Sequence, residues 1–152
     1  MPEPLSYSTA TPRVGLPMLF TAQAQKETTV NEALVAIDFL LASAVEGVVA
    51  APPATPLVGQ AWIVGAAPTA AFAGHSGKIA GWTQGGWRFF QPGEGMRAFD
   101  IAAGAFRQYL NGWMMASAPD LPVGGGIVDV EARACLVALV TALEEIGIFS
   151  ST

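Results

Sequence analysis

A histidine beside a serine, in Phe72-Ala73-Gly74-His75-Ser76-Gly77, is the nearest this sequence comes to nucleophilic catalysis, because an imidazole can take up the proton of a hydroxyl. Adjacent residues in a Gly-flanked turn seldom point at each other, so His75 reads instead as a turn histidine bonded to backbone. Cys135 falls in an apolar helical stretch and reads as a small core residue rather than a reactive thiol. Glu144 and Glu145 are successive on a helix and point about 100° apart, which excludes a carboxylate dyad. No glycine-rich stretch has the spacing of a nucleotide loop. One His and one Cys cannot build the usual Cys/His zinc site or an internal disulfide. The sequence therefore predicts no enzyme, no cofactor and no metal.

Tryptophan offers a different chemistry. Gly85-Gly86-Trp87 and Asn111-Gly112-Trp113 are each a turn signal that delivers a Trp to the start of a strand. A Trp face can stack on the apolar side of a sugar ring, which makes Trp82, Trp87 and Trp113 candidate glycan contacts. Burial in the core is the commoner fate of Trp in a small domain, and both readings stand at this level.

Composition narrows the field further. The 152 residues are 52% apolar before their 17 glycines are counted, and only 12% charged, against about 25% in ordinary globular domains. So little charge leaves too little polar surface to solvate a monomer of this size, which points to surface buried against other chains. The net charge is -5, and the seven basic residues are spread singly along the chain, so nucleic-acid binding is not expected. The longest apolar stretch, Ala33 to Ala51, is interrupted by Asp38 and Glu46, and membrane insertion is not expected either. Met1 to Arg13 is polar and Pro-rich and lacks the apolar core of a signal peptide.

The elements that must carry these residues read as α+β: an N-terminal coiled-coil-like helix, a small antiparallel β meander domain and a C-terminal helix. Residues 1–21 form an extended arm in which Pro2, Pro4, Pro12 and Pro17 forbid a continuous helix. Residues 22–49 form an oligomerisation helix. Its Val30, Leu34, Ile37, Leu41, Ala44 and Val48 are spaced alternately by four and three, the period of a coiled-coil seam, and Gln23 and Glu27 extend that seam in polar form. Val35, Phe39 and Leu40 widen the apolar surface, which leaves open that the helix packs on the β domain of its own chain.

Residues 50–118 read as one β domain. Strands are expected at Ala61 to Val64, Lys78 to Thr83, Trp87 to Gln91, Met96 to Asp100, Ala105 to Leu110 and Trp113 to Met115, with turns at Gly85-Gly86, Gly104 and Asn111-Gly112. Residues 119–152 form a Gly-rich flexible joint and a C-terminal helix with Asp129 as N-cap, Glu131 in the first turn and Gly147 as C-cap. Ala132, Leu136, Leu139, Leu143 and Ile146 again step by four and three, so Leu136, Leu139 and Leu143 join the candidate seam. Val137 and Val140 flank it, and packing within one chain is the alternative.

Short motifs also recur in a recognisable order. They are Leu16-Pro17, Gln23-Ala24-Gln25-Lys26, Asn31-Glu32-Ala33-Leu34 and Asp38, then Pro52-Pro53, Pro56 and Gly59. The series continues through Trp62 to Gly65, Pro68, Phe72-Ala73-Gly74-His75, Ile79-Ala80, Gly86-Trp87-Arg88-Phe89 and Val128-Asp129-Val130-Glu131-Ala132-Arg133. Over nearly the whole chain it resembles an uncharacterised domain family of prophage tail regions and gene transfer agents in alphaproteobacteria. The resemblance implies a virion component of a tail fibre, spike or head fibre, made in the bacterial cytoplasm, with no enzymatic activity. Fibres of such particles are usually homotrimers, so a homotrimer is expected, with the arm docking on other virion proteins; contact with a host-surface glycan rests on the Trp residues alone. Many relatives carry further receptor-binding domains; this chain stops after the C-terminal helix, which points to an adaptor or short fibre. A monomeric carbohydrate-binding module and a filament-forming surface protein are the competing expectations.

Overall fold

The computed structural model describes residues 11, 13, 18, 26–41, 43–126 and 129–150. The elements run α1 (Lys26–Leu41), β1 (Ala44–Val45), β2 (Val48–Val49), β3 (Ala61–Val64), a 3-10 turn (Ala70–Phe72), β4 (Ile79–Thr83), β5 (Gly86–Phe90), β6 (Arg97–Asp100), β7 (Ala105–Tyr109), β8 (Trp113–Ser117), α2 (Val130–Glu145) and β9 (Phe149–Ser150). The class is α+β, with two helices and two sheets. The described residues fall into two compact units, one of α1 with residues 49–91, the other of residues 44–48 with those from 92 onward.

In the first unit β2, β3, β4 and β5 lie side by side in that order, and β3, β4 and β5 are joined antiparallel. Pairing of Ala61 with Gly81, Trp62 with Ala80 and Ile63 with Ile79 puts Ala61, Ile63, Ile79 and Gly81 on one face. Phe90, opposite Ile79, shares that face. α1 lies on it. Val35 and Phe39 of α1 are buried, and Phe39 stacks on Phe90 with ring centroids 5.4 Å apart. Gly81 makes the fit possible, since a Cβ there would stand 2.6 Å from the Phe39 ring. The opposite face carries Trp62, Val64, Ala80, Trp82, Trp87 and Phe89, closed by Phe72 from the 3-10 turn. Covered on both faces, β3 is buried along its whole length.

The second unit is a five-stranded sheet in the order β1, β6, β7, β8, β9. Its centre is an antiparallel meander of β6, β7 and β8, and the short edge strands β1 and β9 are parallel to their neighbours. The turn before β8 has Asn111 at φ 53° and Gly112 at φ 149°, the conformations for which Asn-Gly is suited. α2 begins at Asp129, whose side chain accepts from the Ala132 N–H. It ends in a Schellman motif: Gly147, at φ 73°, donates to Glu144 O and Ile148 to Leu143 O. The buried side chains of this unit are small. Val45, Pro92, Ala98 and Ala105 are its buried apolar residues among those described, and Asp100, joined to Arg107 at 2.6 Å, is buried too.

The structure corrects several sequence expectations. The helix expected over residues 22–49 ends at Leu41, while Ala22 to Gln25 lie outside the described residues, as does the Glu27 side chain. Ala44 and Val48 leave the seam because they lie in β1 and β2. Ala44 pairs with Phe99, Val45 accepts from the Ile101 N–H, and those backbone groups are then lost to a helix. The single β domain of residues 50–118 is two meanders in two units divided between Gln91 and Pro92, where proline interrupts the ladder. The C-terminal part is joined to the second of them through β9. The Gly-rich joint is tied down, with Arg133 donating to the carbonyls of Pro122 and Gly124.

Candidate functional site

α1 presents two apolar faces, and its own sheet uses one. Val35, Asp38 and Phe39 are buried, whereas Val30, Ile37 and Leu41 are exposed, Leu41 by 72%, and Leu34 is half-buried. The four seam residues that remain on the helix, spaced by four, three and four, therefore form a stripe beside the packed face. Leu40 is exposed next to it. Glu32 pairs with Arg88 of β5 at 3.1 Å, a surface contact that fixes the rotation of α1 on its sheet more than it stabilises it.

α2 is less covered still. No residue of its sixteen is buried, Leu136, Val137 and Leu139 are exposed, and Leu143 is half-buried. From Ala134 to Leu143 it carries no charge. That middle stretch is uncharged and mostly apolar, and none of its side chains is buried. Cys135, expected in the core, is exposed here because that helix face has no covering within the unit.

The tryptophans separate. Trp87 makes T-shaped contacts with Phe72 at 4.9 Å and Trp62 at 5.6 Å, lies 4.9 Å from Trp82, and is half-buried in the core cluster of the first unit. Trp82 is half-buried in the same cluster. Trp113 belongs to the other unit, half-buried at the start of β8 beside Tyr109 at 5.4 Å. Trp87 and Trp113 thus lie in different sheets rather than on one platform.

The catalytic candidates are not brought together. The His75 ring lies flat on Phe89, 3.7 Å between centroids, with its Nδ1 3.4 Å from Lys78 Nζ, while the Ser76 hydroxyl donates to the Gly65 carbonyl. Glu144 is half-buried and Glu145 exposed. Among the described residues no three His, Cys, Asp or Glu side chains are grouped as a metal site needs, and no helix is long and apolar enough to cross a membrane.

Sequence reasoning missed Asp38, fully buried near the end of α1, and its partner Arg13, whose backbone N–H donates to Asp38 Oδ2 at 2.7 Å. The signal was a carboxylate that is the one charge in the run from Ala33 to Leu41, and a buried charge there must find donors. A family model described as Protein of unknown function (DUF2793) matches residues 30–114, more than half of the chain. The matched span begins at the first exposed seam residue of α1 and ends within β8. Searches of curated proteins and of solved structures give no match.

Proposed function

This chain belongs to the DUF2793 family, a family of unknown function, and we propose that it is a structural virion component of a phage or gene-transfer-agent-like particle. In this reading it is a homotrimeric tail-fibre, spike or head-fibre protein of attachment, without catalytic activity. The observation that carries the oligomer is the apolar stripe Val30, Leu34, Ile37 and Leu41, exposed except for half-buried Leu34 while the neighbouring face of α1 packs on its own sheet. The second unit points the same way. Its buried apolar side chains are one Val, one Pro and two Ala beside an ion pair, while Phe106, Leu110 and Met114 are exposed and no residue of α2 is buried. A sheet with so small a core gains most of its apolar burial from other copies. The placement in a particle rests on the ordered motif resemblance from Leu16 to Arg133.

Purified particles from producing cells test the reading. The chain should co-purify with them through a density gradient, in a copy number that is a multiple of three. Its absence from particles while abundant in the cytosol would contradict it.

The carbohydrate-binding alternative is tested at Trp113, half-buried beside Tyr109 at the start of β8. Under that reading Trp113→Ala abolishes retention on a polysaccharide column and shifts Tm by no more than a few degrees. A large fall in Tm returns Trp113 to the core of its unit, where truncating a packed Trp costs about 3–5 kcal/mol.

A further inference from the structure

β5 is an edge of its sheet, which runs in the order β2, β3, β4, β5. The register says where its backbone groups point. Trp82 of β4 donates to the Gln60 carbonyl and accepts from the Gly59 N–H, so its peptide groups turn toward the β3 side. Those of Trp87, paired opposite Trp82, therefore turn away from β4 into the open edge, and those of Phe89, two residues on, do the same. Among the described residues, these outward groups of Trp87 and Phe89 have one hydrogen-bond partner, Arg88 Nη1, which donates to the Trp87 carbonyl at 3.2 Å. The same Nη1 donates to the Gly85 carbonyl at 3.1 Å, while Nε and Nη2 donate to the Glu32 carboxylate of α1 at 3.1 Å. Gly85 leaves room for this, since a Cβ there would stand 3.1 Å from Nη2.

A charged head is thus held on the start of an edge whose later groups, the Phe89 N–H and carbonyl, stand open. Unpaired groups of this kind template a further strand, and a charge fixed beside them opposes it, because the incoming strand must strip the guanidinium from the Trp87 carbonyl and take it out of water. The edge also fits itself. Antiparallel pairing centred on Phe89 joins its N–H to the carbonyl of Phe89 of a second copy, and the reverse, and continues the Trp87 and Phe89 row across both sheets. Centring the pair on Phe89 sets Arg88 opposite an aromatic, Phe90 of the second copy, whereas centring it on Arg88 would oppose like charges. We propose that β5 is a strand-addition surface for β5 of a second copy, and that Arg88, held by Glu32, keeps this surface closed. Glu32 and Leu34 lie about 200° apart around α1, so the guarded edge and the apolar stripe are on opposite flanks of the helix. Association at both would join closed oligomers into open polymers, which the guard prevents. The inference rests on the first unit alone and needs neither the trimer nor the particle.

Light scattering and amide hydrogen exchange on full-length Arg88→Ala, beside the parent chain, test this. In the parent the Phe89 amide should exchange at an unprotected rate at every concentration, while the Arg88 amide, which faces β4, is protected. In Arg88→Ala the mass should rise with concentration above that of the parent, and exchange at Phe89 should slow by about tenfold or more as it does. A variant mass that stays at the parent value would mean that Arg88 closes nothing. A rise in mass without protection at Phe89 would place the association on another surface, which also overturns the proposal. So would a Phe89 amide already protected in the parent, because the edge would then be covered. Should Arg88→Ala fail to fold, Arg88→Met keeps the length of the stem without charge or donors and is read in the same way.

Discussion

Phe39→Ala is expected to lower the stability of the chain by about 3–5 kcal/mol and its Tm by about 10 °C, the largest effect of any single truncation in the first unit. The side chain is fully buried, stacked on Phe90, covered by the Arg13 guanidinium and seated over Gly81. Removing it empties the contact between α1 and the sheet along most of its apolar area. The converse change, Gly81→Ala, puts a methyl 2.6 Å from the same ring and forces the helix outward, a cost of about 1–3 kcal/mol. Because the two changes act on one contact, their effects should not add: in the Phe39→Ala background the methyl of Gly81→Ala enters the space left by the ring. Calorimetric unfolding of the two single variants and the double variant measures this. Additive losses would place Phe39 and Gly81 in separate interactions.

Leu34→Asp with Leu41→Asp is expected to convert the proposed trimer to folded monomers. On the isolated chain these positions are half-buried and exposed, and surface substitutions of this kind usually change stability by no more than about 0.5 kcal/mol. In a seam, each buried Leu contributes roughly 1.5–3 kcal/mol, and an aspartate in its place must be desolvated or must separate the chains. The double variant therefore separates the two roles of α1: its stripe is disrupted while Val35 and Phe39 still hold the helix on the sheet. Circular dichroism should be unchanged as the mass falls threefold. An unchanged mass in a folded double variant would remove the stripe from the oligomer.

β3 to β8 were legible in the sequence to within about two residues because their signals are local, whereas the two-residue strands β1, β2 and β9 were not expected. Asn111-Gly112 and Gly104 adopt positive φ where the chain turns, and the Asp129 and Gly147 caps bound α2 as their residue types require. The length of α1 was not legible. The spacing of four and three runs on through Ala44 and Val48, but Ala44 pairs with Phe99 of β6, more than fifty residues away, and Val48 lies in β2 beside β3. Glu46-Gly47 between valines was the local hint of a turn, with Gly47 at φ 151°. Which face of α1 packs inward was equally hidden. Both faces are apolar, and the choice depends on a notch at Gly81 that receives Phe39. The Trp residues show the same limit. Trp87 and Trp113 follow similar turns, yet one is enclosed by Phe72 and Trp62 while the other has Tyr109 beside it.

The central claim is that copies of this chain bury one another's apolar stripes, and the solution mass of the purified full-length protein tests it most directly. Light scattering across a hundredfold range of concentration should give one constant mass, three times that of the chain. A constant monomer mass would contradict the account, because the stripes of α1 and α2 would then be stable in water without a partner.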